Sequence, residues 1–266
     1  MYDRFNRKIN YLRISVTDRC NLRCTYCMPE EGVTLKNHRD ILSFEEIMAV
    51  VGAGVKLGIN KIRLTGGEPL VRKDIAGLVE QIIRTEGITD VGLTTNGTLL
   101  RGLANELREA GLKRLNISLD TLNSDKYTCI TRKGRLDEVL EGIETAIRLG
   151  FDPIKINFVR IRGVNEDDEA LVREFCREKG LSLRLIRQMN LAEGEFYPVE
   201  GGSGGVCKVC NRFRLTADGY IVPCLFSDYG YSIREMGIEQ AFNKALNIKP
   251  ESGETSVKNH FYSIGG

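Results

Sequence analysis

The chain has 266 residues, 42% of them apolar and 28% charged, which suits a globular protein with a sizeable core and excludes a disordered or fibrous one. A formal charge of +2 gives no general pull towards nucleic acid or an anionic membrane, so its basic residues have to be judged site by site. No run of about twenty apolar residues is present to span a bilayer, and the opening MYDRFNRKIN lacks the apolar centre of a signal peptide, so the expected location is the cytoplasm, with no nucleic acid and no membrane as partner.

Alternating apolar and polar residues predict a strand over 12–16, broken at Thr17-Asp18, after which a loop delivers Cys20, Cys24 and Cys27. Ser43 and Glu46 have the spacing of a capping box, and Phe44, Ile47, Met48, Val51 and Val55 continue it as an amphipathic helix that Gly58 ends. Then come a strand at 61–65, a helix over about 73–85, a strand at 90–95, a helix at 99–110 and a strand at 112–120. A helical stripe over 136–147, a strand at 154–161, a helix near 167–179 and a strand at 181–189 repeat the unit. Six strands alternating with helices predict an α/β fold, an incomplete TIM-type barrel of about six βα units spanning 1–190, with its chemistry at the C-terminal ends of the strands.

Beyond 190 the pattern changes. The stretch 191–206 reads as a short linker, flexible in its Gly-rich part at 200–205. The C-terminal region 207–266 opens with two strands joined at Asp218-Gly219, a strong hairpin signal that brings Cys224 back towards Cys207 and Cys210. A short helix near 238–246 and a polar tail ending in Gly265-Gly266 follow.

Six of the eight cysteines fall in two triplets, and Cys129 and Cys176 stand alone. In a reducing compartment grouped thiols point to metal rather than disulfides. Spaced as Cys-x3-Cys-x2-Cys, the first triplet suits three corners of a [4Fe–4S] cubane, leaving one iron open to a small molecule. The alternative is a zinc site that lacks its fourth ligand. Cys207, Cys210 and Cys224 form a second triplet that would also leave an iron open, with a zinc knuckle completed by His260 as its alternative. Arg212 and Arg214 share the parity of Cys210 on the intervening strand, so two guanidiniums beside that centre point to an anionic, phosphorylated substrate, or else to a solvated edge strand. TGGEP at 65–69 is by itself a turn whose glycines let the main chain approach a partner closely.

The first triplet, with aromatic Tyr26 before its last cysteine, resembles the signature of the radical S-adenosylmethionine (SAM) superfamily, and TGGEP resembles that superfamily's GGE motif. Together with TTNGTLL, LNISLD, CxxCNRFRLTADG and the Gly-Gly end, the chain from about 3 to 266 is similar to the MoaA family of GTP 3′,8-cyclases of molybdenum cofactor biosynthesis. The resemblance implies an incomplete α/β barrel, two [4Fe–4S] clusters and SAM. A 5′-deoxyadenosyl radical would remove the 3′ hydrogen of GTP, and C3′ would then add to guanine C8, giving (8S)-3′,8-cyclo-7,8-dihydroguanosine 5′-triphosphate. Carried over residue by residue, it implies that Cys20, Cys24 and Cys27 hold the SAM cluster and that Cys207, Cys210 and Cys224 hold the second. Tyr26, Gly67, Ser118 and Met189 would contact SAM, and Arg13, Arg63, Thr94, Lys155, Arg212 and Arg214 would contact GTP. Arg212, Arg214, Gly265 and Gly266 would serve catalysis. A reducing donor such as flavodoxin or ferredoxin is implied, and a homodimer is left open. Two departures stand out: 190–206 is several dozen residues shorter than the family's connection, and Arg187 stands where the family typically has Glu. The other readings carried forward are a radical SAM maturase acting on a peptide or another nucleotide, and a non-catalytic zinc or electron-transfer module.

Overall fold

Alternation along the strands sorts the side chains before any packing is considered. In the computed structural model, which describes residues 1–264, strand β1 (Tyr11–Ser15) buries Leu12 and Ile14 completely beneath the helices while Tyr11 and Arg13 face inward. Parallel partners β2 (Lys61–Thr65), β3 (Asp90–Thr95), β4 (Arg114–Ser118), β5 (Ile154–Arg160) and β6 (Ser182–Arg187) keep the same division. Their outer faces are covered by α1 (Phe44–Lys56), α2 (Ile75–Arg84), α3 (Leu100–Glu109), α5 (Leu136–Arg148) and α6 (Glu169–Glu178). The capping box is present: the Ser43 hydroxyl accepts from Glu46 N at 3.2 Å, and the Glu46 carboxylate accepts from Ser43 N at 2.8 Å.

Nine strands form one sheet in the order β6-β5-β4-β3-β2-β1-β7-β8-β9. Here β7 (Arg212–Leu215) joins β1 in parallel, and β8 (Tyr220–Val222) and β9 (Tyr231–Ser232) follow antiparallel. The sheet stays open, since β6 and β9 do not pair, so the expected partial barrel is the observed one. The boundary at 206/207, expected to divide two regions, falls in the connection between β6 and β7 of this one sheet. Phe213 of β7 meets Phe242 of α8 (Ile238–Asn247) at 6.0 Å between ring centroids, and both belong to the cluster that holds Leu12 and Ile47.

Three features depart from the sequence reading. A helix α4 (Ser124–Thr131), capped by the Asn123 side chain, was not foreseen because it carries no long apolar stripe; its last-turn carbonyls at Ile130 and Thr131 accept from Thr25 N and Arg23 N and so brace the cysteine loop. The short helices α7 (Ile233–Met236) and α9 (Phe261–Ile264), like β9, are below the length that periodicity can reveal. The Gly-rich segment is not a loose spacer. Glu200 exchanges two 3.1 Å hydrogen bonds with Leu185 of β6, Val199 N donates to Gly204 O, and Gly205 sits at φ +75 where an added Cβ would collide with the Tyr197 carbonyl. Among the described residues no helix is long and apolar enough to cross a membrane. The expected catalytic pair Gly265 and Gly266 lies outside the described residues.

Candidate active site

The inward-facing residues converge on one cavity of about 480 Å³. The loop after β1 brings Cys20, Cys24 and Cys27 to it, and the connection into β7 and the β7–β8 hairpin brings Cys207, Cys210 and Cys224. Both triplets therefore open onto a shared chamber. All six thiols are free and partly buried. Among the described residues no three Cys, His, Asp or Glu side chains converge tightly enough for a single metal ion, whereas zinc would need its thiolates within about 2.3 Å of one point. His260, the suggested fourth zinc ligand, instead stacks on Tyr262 with centroids 5.1 Å apart. Three thiols at each end are the donor set of a cubane that leaves one iron open.

The GGE turn is held in a way the sequence did not reveal. Gly67 N and Glu68 N donate, each at 2.8 Å, to Thr17 O and Arg19 O on the lead-in to the cysteine loop. A Cβ on Gly66 would lie 2.6 Å from Thr17 O, and one on Gly67 would collide with Arg19 O. The two glycines are thus required by backbone packed on backbone, and both also line the cavity. The fully enclosed Glu68 carboxylate accepts from Leu70 N at 3.0 Å, Thr95 Oγ1 at 2.7 Å and Asn96 N at 2.7 Å, tying the β2 and β3 ends together. Burial pushes Glu68 up to about 7 despite these bonds.

Tyr26 donates to Asp120 Oδ2 at 2.8 Å, while Asp120 Oδ1 accepts from Val159 N at 2.7 Å. This carboxylate fixes the aromatic ring of the cysteine loop to the ends of β4 and β5; neither it nor Glu68 was singled out in the sequence. Burial raises the Cys20 thiol to about 11 and the Cys27 thiol to about 12, so this triplet holds its protons until a metal displaces them. The second triplet differs. Burial pushes Cys210 up, but Lys249, Arg212 and Arg7 outweigh it and leave that thiol below its usual range.

Between the triplets lies a row of cations. Register places Tyr11 beside Lys61 and Arg212, and Arg13 beside Arg63 and Arg214, while Arg114 follows Arg63 across Gly92. Gly92 leaves the space in which the Arg63 and Arg114 guanidiniums approach; an added Cβ would stand 3.1 Å from each. Arg63 Nε donates to Tyr11 Oη at 3.0 Å. Burial pushes Tyr11 up, yet Arg63 and Arg13 outweigh it and hold the phenol below its usual range. Burial, reinforced by Arg212, brings Arg214 down to about 10. Among the described residues Arg63 Nη1, Arg184 Nε and Arg212 Nε are buried with no acceptor. Unsatisfied guanidinium donors around a cavity are the complement of a polyanion.

Of the expected site residues, Thr94, Ser118, Met189, Gly67, Tyr26 and the four arginines all line this cavity. Lys155 does not. It sits in register between Asn116 and Ser182, where burial and then Arg184 and Arg114 lower its pKa, so it borders the cation row without forming the wall. Sequence reasoning missed Tyr11, Lys61, Arg114 and Arg184, though period-two parity from Arg13, Arg63 and Ser118 would have found the first three.

The family model for the radical SAM superfamily matches residues 14–175. The chain is 40% identical to a GTP 3′,8-cyclase of Thermodesulfovibrio yellowstonii over 322 aligned positions, covering all of both chains, and 41% identical to one of Alkaliphilus oremlandii, covering 100% of this chain and 98% of the relative. A GTP 3′,8-cyclase of Moorella thermoacetica is 42% identical over 94% of each chain. Among solved structures, anSMEcpe with bound AdoMet superposes with a TM-score of 0.65 at 18% identity over 91% of this chain and 78% of that one. SuiB of Streptococcus suis bound to S-adenosylmethionine superposes at 0.56 and 16% identity, covering 88% and 65%.

Proposed function

Since the chain belongs to the radical SAM superfamily, and within it to the GTP 3′,8-cyclases, we propose that the cavity both triplets open onto holds SAM at the first thiol triplet and GTP between the cation row and the second. The protein is an enzyme, a radical SAM GTP 3′,8-cyclase of molybdenum cofactor biosynthesis that works with two [4Fe–4S] clusters and SAM. The observation that carries the site assignment is the opening of both triplets and the unsatisfied arginines onto one chamber.

Cys20, Cys24 and Cys27 would hold one cluster, with Tyr26, Gly67, Ser118 and Met189 around the bound SAM. Cys207, Cys210 and Cys224 would hold the other. When bound, the first cluster and SAM supply the 5′-deoxyadenosyl radical. The chain's own part is to bind, orient and shield. Arg13, Arg63, Arg212 and Arg214, with Thr94 and neighbouring Lys155, anchor the triphosphate, which sets where the ribose sits relative to the SAM end. Val159, Ile186, Leu225 and Phe226 line the cavity and keep water from the reacting carbon. Gly265 and Gly266, which lie outside the described residues, complete the set proposed to serve catalysis. We assign the enzyme to the cytoplasm, with a low-potential donor such as flavodoxin or ferredoxin.

The test is anaerobic incubation of the reduced, reconstituted chain with SAM and GTP. The expected result is 5′-deoxyadenosine together with the 3′,8-cyclised nucleotide. Formation of 5′-deoxyadenosine with another substrate, and none with GTP, would overturn the assignment.

A further inference from the structure

Lys249 is 1% exposed, and its side chain is among the largest that the molecule buries completely. Its Nζ donates to two backbone carbonyls, Arg212 O at 2.9 Å and Pro223 O at 2.5 Å, and lies 5.5 Å from the centre of the Phe213 ring. Arg212 stands two residues after Cys210, and Pro223 immediately precedes Cys224. A second buried cation completes the pattern. Arg7 Nη1 donates to Cys207 O at 2.9 Å and to Glu251 O at 2.8 Å, and its Nη2 donates to Pro250 O at 2.6 Å. Through Lys249 and Arg7, the segment 249–251 is tied to the backbone at or beside all three cysteines of the second triplet.

The two cations differ in their compensation. Arg7 is ion-paired with buried Asp3 at 2.7 Å. Both hydrogen bonds of Lys249 go to carbonyls, and among the described residues no carboxylate bonds its Nζ. An ammonium taken out of water without a counter-anion is costly and is retained where an anion arrives to offset it. A cubane held by three thiolates carries net negative charge.

We propose that Lys249 is the counter-cation of the second cluster: a positioning residue that closes the cysteine hairpin through two carbonyls and whose uncompensated charge stabilises the cluster's reduced state. This rests on the reading that Cys207, Cys210 and Cys224 hold a cubane. At the first triplet the neighbouring ionisable groups are the carboxylates Glu68 and Asp120 and one cation, Arg23, whose Nη1 donates to Cys20 O at 2.8 Å. The second triplet, with Lys249, Arg212 and Arg7 around Cys210, sits in the more cationic surrounding of the two, which biases its cluster towards accepting an electron.

The test compares Lys249→Gln, which keeps a donor but drops the charge, with Lys249→Arg, which keeps both. Potentiometric titration by electron paramagnetic resonance is done in full-length chain carrying Cys20→Ala, Cys24→Ala and Cys27→Ala, so that the signal reports the second cluster alone. The expected result is a more negative midpoint for K249Q and the parent value for K249R. In parallel, K249Q should leave the unfolding temperature of the cluster-free protein unchanged or raised while lowering that of the loaded protein or its iron content. An unmoved midpoint, or equal destabilisation of both forms including a K249Q chain that fails to fold, would assign Lys249 to the scaffold and overturn the proposal. A parent chain that binds no iron at the second triplet would instead sink the two-cluster reading itself.

Discussion

Arg212 and Glu68 show how single side chains divide the work between affinity and architecture. Arg212 Nη2 donates to Ser203 O at 3.0 Å while its buried Nε has no acceptor among the described residues, so part of its hydrogen-bonding capacity is left for a ligand. Replacing it with alanine should remove charge-assisted bonds worth about 1.5–3 kcal/mol, weakening GTP binding roughly tenfold or more while the absorbance of both clusters is retained. Equilibrium binding under anaerobic conditions checks this, and a lost cluster spectrum would instead mark Arg212 as structural. Glu68 belongs to the architecture. Its folded value near 7 lies above the ordinary carboxylate value of 4.5, so between those values the native state holds more protons than the unfolded one. Its contribution is therefore fully present below about 4.5 and is lost as pH rises through 7. Buried Asp120, raised by burial to about 6, acts in the same sense between 3.8 and 6. Cluster-free protein carrying Glu68→Gln should accordingly show a flatter decline in stability from pH 5 to pH 8, measured by urea unfolding at each pH.

At the scale of elements, the connection from β6 to β7 is where this chain departs from its relatives. Alignments of 322 positions against 266 residues mean that the cyclase relatives carry segments this chain lacks, and 190–206 is the stretch expected to be shortened. What remains is packed as a strap. Arg187 stacks 3.8 Å from the centre of the Tyr197 ring, Phe196 meets Phe226 at 4.8 Å, and Gly202, Ser203, Gly204 and Gly205 line the cavity. Arg187, which stands where the family typically has Glu, is engaged in holding this strap as well as facing the chamber. Gly205→Ala should force its left-handed backbone and the Tyr197 carbonyl apart at a cost of about 1–3 kcal/mol, lowering the unfolding midpoint and weakening GTP binding together. Unchanged stability with unchanged binding would show that the segment is loose after all. The strap's packing was illegible in sequence because EGGSGG is also the composition of a free spacer, and only contact with β6 tells the two apart.

For the whole molecule, the decisive quantity is iron. Two cubanes predict about eight irons and eight acid-labile sulfides per chain, falling to about four when Cys24 or Cys224 is replaced by alanine. Metal analysis of anaerobically prepared protein checks this; zinc in place of iron, or four irons in the parent chain, would overturn the two-cluster assignment. Both losses should also abolish cyclisation, because the two triplets face one cavity and act as a unit. Since β7 pairs with β1, and Phe213 and Phe242 share a core cluster with Leu12 and Ile47, the second triplet should not survive as a separable module: cleavage near 206 is expected to destabilise both halves.

The residues by themselves determined the βα rhythm, the two cysteine triplets, the GGE turn and the hairpin, because each is written in local periodicity, spacing or turn chemistry. Only the tertiary structure decided that Thr17–Arg19 is what the GGE glycines accommodate, that Lys249 reaches back to the second triplet, and that Arg184 joins the cation row. These are contacts between segments far apart in the chain, and no local pattern encodes which distant backbone a glycine or a buried charge will meet.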